Sequence, residues 1–176
     1  LAMTDLVTLE RDGDLAWLVL DRAEVMNALS FDTLGRLQEL VAELAQDRSA
    51  RVVLVTGRGE RAFCAGADLK ERKGFTEEQT RAFVTRIGDT FAAVAALPQP
   101  TVAVLNGVAF GGGLELALAC DLRVAVRDVT LGLTETSLAI IPGAGGTQRL
   151  PRVVGVSRAK DLILTARRVG AEEALA

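Results

Sequence analysis

Asn-Gly-Val-Ala-Phe-Gly-Gly-Gly-Leu-Glu-Leu-Ala-Leu-Ala-Cys-Asp, residues 106–121, is the stretch on which the reading of this chain turns. Three consecutive glycines, 111–113, open a run that is apolar almost throughout, with one carboxylate, Glu115, inside it. A helix that is apolar all round belongs in a core. An ionised carboxylate there is costly unless it is paired or has a task. Two readings of Glu115 are open: an anion favoured by the macrodipole of a first helical turn, or a group kept there for chemistry.

Working outward, residues 101–105 and the β-branched run 52–56 read as buried strands. Residues 6–10 and 15–20 read as two strands around an Arg-Asp-Gly-Asp turn, and 122–126 and 129–133 as two more. Ser30 can cap a helix whose apolar face is Leu34, Leu37, Leu40, Val41 and Leu44. Thr76-Glu-Glu-Gln79 is a capping box, and the helix behind it buries Phe83, Ile87, Phe91 and Val94 before stopping ahead of Pro98. Residues 21–26 and 63–69 read as loops, residues 141–146 as a turn opening a helix, and 157–167 as an amphipathic helix. Strands alternating with helices predict an α/β fold with largely parallel strands. Its glycine-rich stretches follow strands and precede helices, where open α/β proteins place ligands.

Composition narrows the chemistry. The chain has 176 residues, 49% hydrophobic and 24% charged, which suits one globular domain over residues 1–176. A net charge of −3 with interleaved signs, and no Tyr, argues against a nucleic-acid surface. With no histidine, Ser-His and Cys-His catalysis and His-ligated metals are excluded. Cys64 and Cys120 lack metal or redox spacing and read as buried thiols, so no metal site is expected. No run of ~18 apolar residues is present for a membrane span. Leu1-Ala2 ahead of Met3 reads as an expression remnant, and the chain ends inside a helical stretch, 170–176. Neither dinucleotide nor P-loop glycine spacing occurs. Chemistry is left to carboxylates, backbone amides, Lys or Ser/Thr.

Ala65-Gly66-Ala67 and Gly111-Gly112-Gly113 each follow a strand near a coming helix, whose first amides have no partners. Such glycines either allow tight packing or aim two amides at an oxyanion. Glu135, in Leu-Gly-Leu-Thr-Glu-Thr-Ser, precedes the apolar 138–142 segment and is either a helix-start carboxylate or a second core-facing one. Two carboxylates and an amide pair point to acid–base work on a carbonyl compound.

Four motifs in order resemble the enoyl-CoA hydratase/isomerase, or crotonase, family. They are Asn27-Ala-Leu-Ser30, Ala62-Phe-Cys-Ala-Gly-Ala-Asp-Leu69, the 106–121 stretch, and Glu135 with Ile141-Pro-Gly-Ala-Gly-Gly-Thr-Gln-Arg-Leu-Pro151. The resemblance implies a crotonase-like spiral of ββα units. It implies an acyl-CoA thioester held by the amides of Ala67 and Gly112, with Glu115 and Glu135 acting on one water that the Gly143 amide helps place. It implies CoA contacts from Val25, Ala28, Ala65, Gly66, Asp68 and Leu69. Asp68 is equally suited to capping the next helix, and Arg22 and Lys70 either meet CoA phosphates or stay solvated. The second half most resembles the methylglutaconyl-CoA hydratase branch.

The expected activity is hydration of 2-enoyl-CoA to 3-hydroxyacyl-CoA, in fatty-acid or branched-chain acyl-CoA metabolism. Enoyl-CoA isomerisation, acyl-CoA hydrolysis and non-catalytic acyl-CoA binding are the alternatives. Coenzyme A belongs to the substrate, so no separate cofactor is expected, nor a nucleic-acid or membrane partner. A homotrimer or dimer of trimers is expected, in the cytoplasm or, after loss of a transit peptide, the mitochondrial matrix. The family's C-terminal helical segment, which helps trimerise and cover the site, is expected to be missing or truncated here.

Overall fold

The computed structural model describes residues 6–176; the remnant expected at Leu1-Ala2 lies outside the described residues. In chain order, β1 (Val7–Asp12) and β2 (Leu15–Leu20) form an antiparallel hairpin. A 3-10 turn (Ala23–Val25) leads to α1 (Phe31–Gln46), then β3 (Val52–Gly57) and β4 (Ala62–Cys64). The short α2 (Leu69–Arg72) and long α3 (Glu77–Ala95) follow, then β5 (Thr101–Leu105), β6 (Val108–Phe110) and α4 (Gly112–Ala119). The chain continues with β7 (Leu122–Ala125), β8 (Thr130–Gly132), a 3-10 turn (Glu135–Leu138), α5 (Gly146–Val154) and α6 (Val156–Thr165), and ends with β9 (Val169–Gly170) and α7 (Ala171–Leu175).

The strands sort into two sheets. One has the order β1-β2-β3-β5-β7, the other β4-β6-β8-β9. From β3 onward each turn of chain gives one strand to the first sheet, the next to the second, and then a helical segment. Strands from successive turns pair in parallel, β3 with β5 and β7 in one sheet, β4 with β6 and β8 in the other. That is the expected spiral of ββα units, within the α/β class.

Two loop expectations need correction. Residues 62–64 form a strand of the second sheet, so the expected 63–69 loop begins inside a strand, and 108–110, to which the sequence reading assigned no element, form another. Three residues are too few to show a period of two; the parallel pairing of Ala62 with Val108 and Cys64 with Ala109 makes them strands. Residues 21–26 likewise contain a 3-10 turn rather than loop alone.

The helices form where their caps and faces said. Ser30 Oγ accepts from Thr33 N–H (3.1 Å), and α1 buries Leu34, Leu37, Leu40, Val41 and Leu44. Thr76 and Gln79 complete a reciprocal capping box, and α3 buries Phe83, Ile87, Phe91 and Val94. Each such fully buried Phe or Leu contributes about 1.5–3 kcal/mol of apolar transfer. Among the described residues no helix is long and apolar enough to cross a membrane.

The 106–121 stretch is tied at both ends. Asn106 Nδ2 donates to the Gly57 (2.7 Å) and Gly59 (2.6 Å) carbonyls, fastening the end of β5 to that of β3. Asp121 Oδ2 accepts from the Thr101 N–H and hydroxyl (both 2.8 Å), fastening the end of α4 to the start of β5. All eight residues of α4 are buried. A Cβ on Gly113 would stand 2.1 Å from the Cys64 carbonyl oxygen, so only glycine lets α4 lie this close to β4.

Candidate active site

Two loops meet at the N-terminus of α4. In the first, Leu29 N–H donates to the Gly66 carbonyl (2.8 Å), Asp68 N–H to the Leu29 carbonyl (2.9 Å) and Ala65 N–H to the Met26 carbonyl (3.0 Å). The Asn27-Ala-Leu-Ser30 motif therefore splints residues 65–68. Asn27 is itself fixed: its φ is +55°, its Oδ1 accepts from Arg22 N–H (3.0 Å), and its Nδ2 donates to the Ala62 carbonyl (2.8 Å). Asn tolerates that left-handed backbone better than most residues.

Among the described residues, the Ala67 and Gly112 N–H groups have no hydrogen-bond partner. A Cβ on Gly112 would lie 3.7 Å from the Ala67 nitrogen, so the two amides sit side by side. Gly66 makes this approach possible. Its φ is +94°, and a Cβ there would stand 2.8 Å from the Phe110 carbonyl oxygen and 3.3 Å from the Gly112 nitrogen. Gly66→Ala is expected to pull the amides apart and to lower about 10²-fold any turnover that depends on them, since one misplaced oxyanion donor costs that much. Steady-state rates alongside thermal unfolding check this; unchanged rates in a folded variant would dismiss the amide pair.

Glu115 lies in the first turn of α4 and is 2% exposed. Its Oε1 accepts from the Ala144 and Gly146 N–H groups, both at 2.8 Å. Burial pushes its carboxyl above the usual range, while those two amides and the Arg149 charge pull the other way. Arg149 Nη1 donates to the Ala144 carbonyl (2.8 Å) and so braces the same loop. Glu115 sits in a first helical turn, and its carboxyl is also met by amides from 29 and 31 residues further on.

Glu135 opens the 3-10 turn after β8. Its Oε1 stands 3.2 Å from where a Gly111 Cβ would be, beside the glycine run. Its Oε2 is buried with no partner. Burial, with the Glu115 carboxylate as a lesser contribution, raises its carboxyl to about 7, its own backbone amide opposing. Two carboxyl groups of one site are thus held differently, Glu115 solvated by peptide dipoles and Glu135 left bare.

Both face one cavity of about 630 Å³. Ala65, Gly66, Ala67, Leu69, Gly112, Gly143, Glu115 and Glu135 of the expected site line it, together with Phe83, Val84 and Ile87 of α3. Val25, Ala28 and Asp68 do not. Ala28 is buried beneath the Gly66 loop. Asp68 caps α2, its Oδ1 accepting from Lys70 and Glu71 N–H (3.1 and 3.3 Å), and its Oδ2 meets Arg22 Nη2 at 3.1 Å. Arg22 also donates to the Ala28 carbonyl (2.6 Å), so this pair ties the two loops together. Ala144 and Gly146 went unnoticed in the sequence, because a backbone donor leaves no side-chain signature; the run of small residues at 143–146 was the available signal. Cys64 and Cys120 are buried, and burial pushes both thiols up to about 12.

Residues 10–176 match the family model described as enoyl-CoA hydratase/isomerase. The human mitochondrial enoyl-CoA hydratase domain-containing protein 2 is 47% identical over 93% of this chain and 56% of its own length. The mitochondrial methylglutaconyl-CoA hydratase of Mus musculus is 47% identical over 95% of this chain and 53% of its own. A crystal structure of enoyl-CoA hydratase from Bacillus anthracis superposes with a TM-score of 0.94 at 52% identity, covering 96% of this chain and 66% of that one. The spiral and the matched motifs define a crotonase-type protein. The chain belongs to the enoyl-CoA hydratase/isomerase family. It spans little more than half the length of these two curated relatives.

Proposed function

We propose that this chain carries the core of a hydro-lyase that adds water to 2-enoyl-CoA thioesters and yields 3-hydroxyacyl-CoA. The observation that carries the reading is the unequal carboxyl pair facing two unpartnered amides: Glu115 solvated by the Ala144 and Gly146 N–H groups, and Glu135 raised to about 7. The thioester oxygen accepts from the Ala67 and Gly112 amides. As water oxygen bonds to the β-carbon, the electron pair of the double bond moves toward the α-carbon and the thioester oxygen, where the amides stabilise the developing enolate. Glu115, its Oε1 held by the Ala144 and Gly146 N–H groups, takes the proton from water. Glu135, protonated up to about neutral pH, gives its proton to the α-carbon. One water is consumed, and the proton left on Glu115 returns to Glu135 before the next turnover. No electron is transferred to or from the substrate, so the step calls for no redox cofactor.

The names of the relatives support the same class of chemistry, and that of the mouse relative supports a branched unsaturated acyl group. Incubation with crotonyl-CoA and with 3-methylglutaconyl-CoA is expected to bleach the absorbance of the conjugated thioester and give the 3-hydroxyacyl product by mass. Bleaching absent for both would reject hydration. Double-bond migration without mass gain would replace it with isomerisation, for which one proton shuttle suffices.

A further inference from the structure

Arg149 does not line the cavity, yet it grips the loop on which Glu115 depends. The arch Ala144-Gly145-Gly146 gives its two outer N–H groups to Glu115 Oε1, both at 2.8 Å. Two of its carbonyls are taken by Arg149. The Ala144 carbonyl accepts from Arg149 Nη1 (2.8 Å), and the Gly145 carbonyl accepts from the Arg149 N–H (2.8 Å). Gly145 has a φ of +104°, and a Cβ there would meet the guanidinium, so glycine lets the side chain lie over the arch. The Gly145 carbonyl and the Gly146 N–H belong to one peptide group. A donor on its carbonyl strengthens its N–H toward Glu115, because linked hydrogen bonds polarise one another. The Ala144 carbonyl lies between the two donors in the chain, so holding it fixes their common aim at one oxygen.

Helix stability does not account for an arginine here. Arg149 is the fourth residue of α5, and the macrodipole disfavours a cation toward the N-terminal end of a helix. Among the described residues its guanidinium forms no salt bridge. Its charge is left to act on the carboxyl that shares the arch. Burial pushes Glu115 up, and the Gly146 amide, the Ala144 amide and the Arg149 charge oppose it. The other elements packed against α4 bring little charge. Helix α3 turns Thr80, Phe83, Val84 and Ile87 to the cavity, β5 and β6 carry no titratable group, and β4 brings the Cys64 thiol, against Gly113. Glu135 and Arg72 face the same cavity from the turn after β8 and from α2.

We infer that Arg149 is a positioning residue for the proton transfer from water: without touching substrate, its guanidinium sets where the Glu115 carboxylate stands and how readily it takes a proton. The kinetic part rests on the hydration reading of the site; the hold on Glu115 does not.

Two measurements test it. In protein carrying 13C-labelled glutamate carboxyls, the Glu115 resonance, identified by its loss in Glu115→Gln, is followed through a pH titration without substrate. Arg149→Met removes a charge that favours the ionised form, so its Glu115 is expected to hold a proton to higher pH than in the parent. Arg149→Lys keeps the charge but not the clamp and is expected to fall between them. In hydration of crotonyl-CoA, Arg149→Met is expected to lose about 10–100-fold in kcat with KM little changed, as a displaced reacting group would give. The acid limb of its pH profile is expected to move to higher pH as well. On a Glu115→Gln background the same substitution is expected to cost about 2-fold at most, since a residue acting through Glu115 has nothing left to act on. An unmoved Glu115 titration in an Arg149→Met protein that unfolds at the parent's temperature overturns the inference. A loss of rate as large on Glu115→Gln as on the parent overturns it too. If Arg149→Met does not fold, Arg149→Lys decides: an unmoved titration with unchanged kcat overturns the inference, and a rise in both pH readouts supports it. A moved titration in a parent that hydrates no enoyl-CoA would bring down the hydration reading and leave Arg149 as the residue that sets Glu115.

Discussion

Glu115→Gln is expected to cut hydration of crotonyl-CoA by about 10²–10⁴-fold, the usual contribution of a positioned acid or base, with little loss of folded protein. The geometry fixes the direction. Oε1 accepts two N–H donors at 2.8 Å, so a glutamine must turn its carbonyl oxygen to Ala144 and Gly146 to avoid donor facing donor. Its NH2 group then occupies the position of the other carboxylate oxygen and cannot take a proton from water. The two amide bonds survive, which keeps the 142–146 loop in place. Rates measured beside a denaturation curve check both halves; a folded variant with near-normal turnover would remove Glu115 from the chemistry.

Glu135→Gln is expected to lose activity to a similar degree and yet gain stability in mild alkali. The Glu135 carboxyl titrates near 4.5 in the unfolded chain and at about 7 in the folded one. The folded state holds that proton more tightly, so the associated stability is complete below the unfolded value and is lost as pH rises through about 7. Above that pH the folded protein carries an ionised group in a place that disfavours it. A neutral glutamine removes the penalty, about 1–2 kcal/mol after allowing for the side chain's partial contact with water. Urea midpoints at about pH 5 and about pH 8 should converge for the variant and diverge for the parent. Hydration by the parent should fall over the same interval as the proton donor is lost. Identical pH slopes for both proteins would contradict the raised carboxyl.

What could be read in advance follows from what side chains encode. Helices α1 and α3 carry long apolar faces with explicit caps, and their buried residues were named correctly from spacing alone. Strand β5 is Thr101 followed by four apolar residues, ahead of Asn106. The second sheet escaped because β4 and β6 are three residues each and exist through pairing with one another. The two glutamates and the glycines beside them stood out as a charge and a gap in apolar surroundings. The peptide groups that hold Glu115 did not, nor did the use of Asp68 and Arg22 as a strap between loops. Backbone donors are chosen by where the chain passes, and that depends on the whole spiral.

The distribution of strands between two sheets also makes the site depend on residues far apart in the chain. The two amides that meet Glu115 come from residues 29 and 31 positions further on, so the pocket of Glu115 is complete only when that later segment is in place. Glu135 follows β8, and β8 gains an antiparallel neighbour only when Val169 and Gly170 arrive. The cavity that both glutamates face is therefore complete only when the later turns of the chain are in place.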